Sequence, residues 1–337
     1  MLSRNGRDIL NQKRLQRIVR IALQISLAVV ISFFVLKEID LNETSKILSR
    51  MSIKAILIGF GCYCLLVLAK TLRFRTLLGL DSNVHSIFPI LALHTFWGNF
   101  LPMRTGDISY IYLMQRRQKV DATQGIATLM VASIIDLVLL TVLMAATAIL
   151  LLPELGGSHS WTVLYLTLLV IGTGLTMLMV LACVAPNFFV SLAQNWAKPL
   201  LRLEKKPITW FVNKCLVIVE EITAFRLNLR FLKVWGYSLL CLIIRFGFQC
   251  YLVVEMGVDI PLIEVLFALA FTNGFNLLPI QNFGNFGTTE FPFRELLHRL
   301  GTSKKDGFDT GFSLHLLILL YCIPLGIYGF FRKPKEE

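Results

Sequence analysis

Apolar runs of membrane-spanning length recur along this chain, and short segments that carry most of the charges separate them. A helix needs about 20 predominantly apolar residues to cross the hydrocarbon layer of a bilayer. The chain is therefore predicted to be an all-α, polytopic integral membrane protein with about six spanning helices. The predicted spans are 18–36, 55–72, 125–152, 161–185, 234–256 and 309–331.

The composition agrees with a membrane protein and argues against a nucleic-acid partner. Of the 337 residues, 55% are hydrophobic and 16% are charged, whereas about a quarter of the residues in an average soluble domain are charged. The net charge is +12, but the Lys and Arg residues fall between the apolar runs, as they do in cytoplasmic loops near anionic lipid. The seven cysteines have no metal-ligand spacing, so no metal site is predicted.

Two further apolar stretches, 86–101 and 262–279, are too short to cross and reach a proline where they end. They share an order of residues: Thr, three residues, Asn, one residue, Leu and Pro, at Thr95–Pro102 and at Thr272–Pro279. A second short arm follows each, ending at 116 in the first case and running over 286–300 in the second. We interpret each pair of arms as a re-entrant helical hairpin, which requires protein or water to cover its broken backbone. The breaks are at Pro102, Gly106, Pro279, Gly284 and Gly287.

The distribution of basic residues predicts the orientation. Residues 1–17 form a basic leader and 332–337 a basic tail, and both are expected in the cytoplasm of a protein of the inner, or cytoplasmic, membrane. The mixed apolar and basic stretch 186–230 predicts amphipathic helices on the inner leaflet. Basic residues after the second hairpin fall outside in this arrangement, so the alternative in which the second hairpin spans stays open.

The order of spans and hairpins predicts a repeat within a single transmembrane domain, 18–331. The first half, about 18–152, and the second half, about 161–331, each contain a span, a second span, a hairpin and a third span. The halves begin on opposite sides of the membrane, which makes the repeat inverted. Broken helices in corresponding positions of such repeats are the best sequence pointer to a substrate site near the bilayer midplane.

Candidate substrate-binding residues cluster at the two breaks. The second arm of each hairpin begins at a helix N-terminus, where free N–H groups and the helix dipole favour an anion such as phosphate. Arg104 and Asp107 lie at the first of these ends and Glu290 at the second, while Asn99 and Asn276 precede the breaks. The same residues also fit ordinary helix starts, so a structural role for each stays open.

Two charges lie in the middle of predicted spans, at Asp136 and Arg245. An unpaired charge at the centre of a membrane helix costs about 2.5 to 3.5 kcal/mol, so both side chains are expected to face the interior. We expect Arg245 to meet a substrate phosphate or one of the carboxylates of Asp136, Asp107 and Glu290. A structural ion pair between spans is an equally acceptable interpretation.

The remaining polar residues and motifs indicate no catalytic chemistry. His94 and His315 are predicted to be satisfied core histidines. The chain contains no nucleotide-binding phosphate loop, no H-E-x-x-H metalloprotease motif, no G-x-S-x-G hydrolase motif and no potassium-channel filter. No cofactor is predicted.

The stretches Asn99–Asp107 and Leu278–Glu290, with Asp136 between them, resemble the transmembrane-domain family of the lysylphosphatidylglycerol synthase and flippase proteins. The resemblance covers about 15–331. It implies a bacterial or archaeal inner-membrane protein with two re-entrant hairpins that helps to move a lipid between leaflets. The family tends to have Glu where Asp107 stands, which bears on the substrate more than on the fold. The soluble aminoacyl-transferase domain of the full-length synthases is missing, so synthesis of aminoacyl lipid is not expected.

The sequence thus favours a transport protein rather than an enzyme. The leading hypothesis is a lipid translocase in which Arg104 and Arg245 hold the phosphate of a phospholipid or glycolipid, and Asp107 and Glu290 meet a cationic group or gate the site. One alternative is a membrane transferase acting on a lipid or polyprenyl phosphate, with Asp107 or Glu290 as base. Another is a non-catalytic subunit that partners a separate lipid-modifying enzyme; homo-oligomers also remain open.

Overall fold

The computed structural model describes most of the chain beyond residue 40. The described ranges are 41–80, 83–102, 105–151, 185–202, 229–276 and 283–332, with isolated residues between 167 and 220. The predictions that fall outside the described residues concern the leader 1–17, the span 18–36, nearly all of the span 161–185, much of the stretch 186–230, residues 333–337, Arg104 and Pro279.

Within the described ranges the chain folds into α-helices and one short 3-10 turn, Phe283–Asn285. The helices are α1 (Leu41–Arg50), α2 (Ile53–Leu78), α3 (Val84–Phe100), α4 (Gly106–Gln118), α5 (Ala122–Leu151), α6 (Pro186–Leu201), α7 (Leu229–Glu255), α8 (Leu262–Phe275), α9 (Glu290–Arg299) and α10 (Lys304–Phe331). The all-α fold class predicted from the sequence is confirmed.

Four of the described helices, α2, α5, α7 and α10, are long and apolar enough to cross a membrane. They correspond to four of the predicted spans, but each begins before its apolar run. Polar caps explain two of these early starts: Ser52 accepts the N–H of Ala55 at 3.1 Å, and Ser303 accepts the N–H of Asp306 at 3.0 Å. A hydropathy criterion misses such ends because they carry polar residues.

The outer surfaces of these helices are apolar, as a lipid-facing surface requires. Leu57, Leu65, Val142 and Ile243 are all more than half exposed. Contiguous exposed apolar surface of this kind is rare on soluble monomers and is typical of membrane contact. The chain is a multi-pass membrane protein.

Two helical hairpins lie at the predicted positions, with α3 packed on α4 and α8 packed on α9. The last arm begins later than the predicted residue 286, at Glu290. The reason is the backbone of the connection, in which Gly284 (φ +63°) and Gly287 (φ +83°) adopt the left-handed conformation that an α-helix cannot contain.

Two helices lie outside the four spans and the hairpins. Helix α1, which the sequence pattern did not predict, packs on α10. Helix α6 falls in the stretch predicted to be interfacial and exposes apolar side chains, with Phe188 55% and Trp196 75% exposed. Those exposed aromatic residues fit a helix that lies on a membrane surface.

Helices α2, α3, α4 and α5 correspond in order to α7, α8, α9 and α10, and each contact of a helix in one set has an equivalent in the other set. Helices α2 and α7 pack on each other, α3 packs on α10 as α8 packs on α5, and α4 packs on α5 as α9 packs on α10. The contacts of α2 with α3, α5 and α10 likewise have counterparts in those of α7 with α8, α10 and α5. Each hairpin is therefore held between the helix that follows it and the matching helix of the other set.

Candidate functional site

The ends of the two first arms meet at one cavity inside the helix bundle. Helix α3 packs on the 3-10 turn of the second hairpin. Thr95 and Asn99 of α3 line the same cavity, of about 240 Å³, as Thr272 and Asn276 of α8. We call it the central cavity. The residues repeated in the two sequence motifs thus form opposite parts of one polar wall.

The arms of the first hairpin touch because Gly106 has no side chain. Helix α3 ends where Leu101 adopts an extended backbone before Pro102. Helix α4 starts at Gly106, where an added β-carbon would lie 2.4 Å from the backbone nitrogen of Gly98. Thr105 holds the N-cap position, but its hydroxyl donates to the carbonyl oxygen of Pro102 at 2.7 Å. The close approach of the arms fixes the first turn of α4 against α3.

The second hairpin turns on Gly284 and Gly287, and it buries a carboxylate. Glu290, the first residue of α9, is fully buried, with 0% exposure. One of its oxygens accepts the N–H of Gly287 at 2.7 Å, and the other lies 2.6 Å from Nδ1 of His315 on α10. The donor in this second contact depends on the tautomer of the His315 ring. Glu290 does not line the central cavity, whereas its partner His315 does.

Asp107 occupies the matching place in the first hairpin and also lies beside a histidine. Its Oδ1 is 3.8 Å from Nε2 of His94, and Nδ1 of that ring lies 3.3 Å from the carbonyl oxygen of Gly106. Both His94 and Asp107 line the central cavity. Each hairpin therefore pairs the acidic residue at the start of its second arm with a histidine.

A second cavity of about 200 Å³, here the side cavity, contains an ion pair that the sequence analysis did not foresee. It is lined by Asp136 of α5 and by Arg73 of α2, whose guanidinium donates to the Asp136 carboxylate. The Arg73 side chain is only 4% exposed. Arg73 lies one residue beyond the predicted span 55–72, and it is buried against Asp136 rather than exposed to solvent. The attraction of a carboxylate 63 positions away is the physical reason.

Two cations, Lys70 of α2 and Arg245 of α7, line both cavities. Among the described residues, neither forms a hydrogen bond or an ion pair. The expected pairing of Arg245 with Asp136, Asp107 or Glu290 is not formed. Lys70 was missed, although its position inside the predicted span 55–72 was a usable signal, because an ionisable residue within a span is a functional candidate.

Several deeply buried polar atoms on the central cavity also lack a partner among the described residues. They are the hydroxyls of Thr95 and Thr272, the amide oxygen of Gln249 and the amide oxygen of Asn285. These four residues are between 2% and 7% exposed. Leaving such a group unsatisfied costs about 1–3 kcal/mol, so the cavity is built to contain water or a polar ligand.

The central and side cavities share Lys70, Asp107 and Arg245, among others, and so form one polar interior between the hairpins and the spans. In the described part of the chain, no group of three His, Cys, Asp or Glu side chains could hold a metal ion. The arrangement is suited to binding a charged, hydrogen-bonding group inside the membrane domain.

Comparison with known proteins identifies the family. Residues 21–326 match the family described as the lysylphosphatidylglycerol synthase TM region. Comparisons with curated proteins and with solved structures give no match. Because the matched residues cover nearly the whole chain, and because the hairpin motifs that suggested the resemblance line one cavity, the chain belongs to the lysylphosphatidylglycerol synthase transmembrane-region family.

Proposed function

We propose that this protein is a lipid translocase that carries the headgroup of a phospholipid or glycolipid across the cytoplasmic membrane through the central cavity. The observation that carries the proposal is the meeting of two hairpins at one polar cavity inside a membrane domain. A headgroup of charged and hydroxyl groups matches such a wall, while its acyl chains match the apolar surface outside. The family's link to a lipid-modifying enzyme supports a lipid as the substrate.

The proposed topology has two re-entrant hairpins in an inverted repeat. The four hairpin arms contain 10 to 17 residues, which gives helices about 15 to 26 Å long at 1.5 Å per residue. The hydrocarbon core is about 30 Å thick, so these arms are too short to cross alone. The exchange symmetry of the helix contacts supports the repeat, and the distribution of basic segments supports a cytoplasmic N-terminus.

The site residues have separate roles in this proposal. Arg245 binds the headgroup phosphate, and Arg104 is assigned to the same task from its place in the sequence. Asn99 and Asn276 hydrogen-bond the headgroup from opposite hairpins. Asp136 holds Arg73 in place through their ion pair. Asp107, on the cavity wall, meets a cationic group or gates the site.

Glu290 is assigned an indirect role, because it does not reach the cavity. Its contact with His315 positions that ring on the cavity wall. This role replaces direct binding of a cationic group by Glu290 within the proposal. The glycines and prolines at the hairpin breaks keep the arms short and their polar ends together.

A translocation assay on purified protein tests the proposal. Vesicles containing the protein and phospholipids labelled on an acyl chain are exposed to an impermeant reductant, which bleaches only the outer leaflet. We expect the inner-leaflet label to become accessible faster than in protein-free vesicles, and Arg245→Ala and Asn276→Leu to slow this process. Arg299→Ala is the control, because that side chain is 56% exposed and its ion pair with Glu295 lies on the surface.

The same vesicles distinguish the alternatives. A translocation rate equal to that of protein-free vesicles contradicts the proposal. Mass spectrometry of the lipids after incubation with lipid and polyprenyl-phosphate donors reports the transferase alternative, which predicts a covalent product. Absence of both activities without a co-purified enzyme is the result expected of a non-catalytic partner subunit.

A further inference from the structure

We infer that the central and side cavities select an anionic phosphodiester headgroup that carries hydroxyl groups rather than an amine, with Lys70 and Arg245 as its two counterions. This inference rests on the proposed function and deepens it, because it names the chemical class of the headgroup. It also brings in Lys70, which stood outside the predicted site.

The charge of the cavity walls favours an anionic ligand. Across the described lining residues, the three cations Lys70, Arg73 and Arg245 outnumber the carboxylates of Asp107 and Asp136 by one. The described part of the walls thus carries one net positive charge when the histidines are neutral. A phosphodiester carries one negative charge and neutralises that excess, whereas a zwitterionic headgroup leaves it in place.

The carboxylates and the cations of the cavity walls differ in their contacts. Both carboxylates already have a positively charged or polar neighbour, since Asp136 pairs with Arg73 and Asp107 lies beside His94. The two cations Lys70 and Arg245 make no hydrogen bond or ion pair with the residues that the structure describes. An uncompensated charge inside a membrane protein is costly and marks a ligand path. An incoming anion therefore gains more from these walls than an incoming ammonium group.

The uncharged polar groups of the central cavity favour a ligand that carries hydroxyl groups. The Thr95 and Thr272 hydroxyls and the amides of Gln249 and Asn285 are more than nine-tenths buried on the central cavity. One side-chain oxygen of each has no hydrogen-bond partner in the described part of the chain. Hydroxyls both donate and accept hydrogen bonds, so a glycerol or sugar headgroup satisfies hydroxyl and amide groups alike. The charged and uncharged groups together match a phosphodiester joined to a polyol.

Neighbouring positions on α2 provide a matched pair of variants for testing the charge argument. Arg73 lies three residues after Lys70 and is paired, so Arg73→Met leaves Asp136 without its partner and lowers the thermal stability of the lipid-free protein. Lys70→Met removes a cation that makes no hydrogen bond or ion pair with the described residues, so it leaves that stability unchanged or raises it. A purely structural role for Lys70 predicts a loss of stability instead.

Ligand stabilisation of the purified protein in detergent tests binding independently of transport. The probes are dioctanoyl phosphatidylglycerol, dioctanoyl phosphatidylcholine and inorganic phosphate. We expect phosphatidylglycerol to raise the melting temperature and phosphatidylcholine to raise it far less. Lys70→Met and Arg245→Met lose this effect, Lys70→Arg and Arg245→Lys retain part of it, and Lys54→Ala, an exposed position at the start of α2, leaves it unchanged.

Three results overturn the inference. Equal stabilisation by the two lipids would show that the site does not select the headgroup by charge. Stabilisation by inorganic phosphate alone would show that the cations bind a soluble anion rather than a lipid. Stabilisation by phosphatidylglycerol that persists in both Met variants would show that Lys70 and Arg245 are not the counterions of the headgroup.

The translocation assay separates this inference from the proposed function. In vesicles we expect the acyl-labelled phosphatidylglycerol to cross about tenfold faster than labelled phosphatidylcholine, the ratio expected when one hydrogen bond of a headgroup hydroxyl is lost. Equal acceleration of both lipids would support the translocase function and refute the selection of the headgroup. Selective stabilisation by phosphatidylglycerol without any translocation keeps the headgroup site and refutes the translocase.

Discussion

The imidazole Nδ1 of His315 lies 2.6 Å from the carboxylate of Glu290, and both side chains are buried between α9 and α10. The second carboxylate oxygen accepts the backbone N–H of Gly287. One acidic residue thus ties the turn of the second hairpin to the last spanning helix. The contact also holds His315 at the central cavity.

Replacing Glu290 with glutamine tests this relationship. The glutamine amide has a single oxygen to accept the Gly287 N–H, so its NH2 group faces His315 and the hydrogen bond with that ring must reverse its direction or be lost. Hydrogen bonds to charged groups are worth about 1.5–3 kcal/mol, and we expect a loss of stability of that order in thermal or denaturant unfolding. Glu295→Gln on the same helix is the control, because that side chain is 47% exposed and its ion pair with Arg299 lies on the surface. Equal effects of the two substitutions would refute the structural role of Glu290.

The ion pair of Arg73 and Asp136 gives a second prediction. Asp136→Asn leaves the buried guanidinium of Arg73 without a counterion, and removal of one partner of a buried pair typically costs about 3–5 kcal/mol. Arg73→Met is expected to cost less, because Asp136 is 30% exposed and water can reach it. The double variant Arg73→Met with Asp136→Asn should lose less stability than the sum of the two single losses. Additive losses in this double-mutant cycle would show that the two residues do not interact.

Much of the fold follows from sequence because apolar length and helix breakers are local signals. The runs at 55–72 and 125–152 predict α2 and α5, and the shared Thr–Asn–Pro pattern predicts the position of both hairpins. Helix α1 was missed because its composition is polar, and it gains its stability from packing on α10. Helix packing depends on tertiary contacts that a linear pattern does not contain.

The candidate site was only partly predictable, for the same reason. The repeated residues Asn99 and Asn276 were found because their motifs recur, and both line the central cavity. The partners Arg73 and His315 were not found, since each lies 25 or more positions from the carboxylate that it contacts. Sequence shows that a charge lies in a span but does not show which opposite charge the folded chain brings beside it.

The close contact at Gly106 gives a third prediction. A methyl group there meets the backbone of Gly98 at 2.4–2.5 Å, so the arms of the first hairpin must separate. We expect Gly106→Ala to destabilise the protein by about 1–3 kcal/mol, the usual cost of overpacking, and to slow lipid translocation. Gly98→Ala is the control within the same hairpin, since its added β-carbon meets nothing within 4 Å. Equal stability of the two variants would contradict the close packing of the arms.

The inverted topology predicts that the bases of the two hairpins lie on opposite faces of the membrane. Single cysteines replace Gln115 near the end of the first hairpin and Lys304 just after the second, both at exposed positions, in a variant without the seven native cysteines. In sealed, right-side-out cells an impermeant thiol reagent should label Lys304→Cys only. Gln115→Cys should react only after the membrane is opened. Labelling of both positions from one face would exclude the inverted repeat.

Photo-crosslinking of a lipid headgroup tests the central claim most directly. Phosphatidylglycerol analogues that carry a diazirine either on the headgroup or at the end of an acyl chain are incorporated into vesicles with the protein, irradiated, and mapped by mass spectrometry. The account predicts headgroup adducts on residues of both hairpins at the central cavity, including Asn99 and Asn276, and acyl-chain adducts on exposed apolar residues such as Leu57 and Ile243. Headgroup adducts confined to loops at the membrane surfaces, with none on the cavity residues, would contradict it.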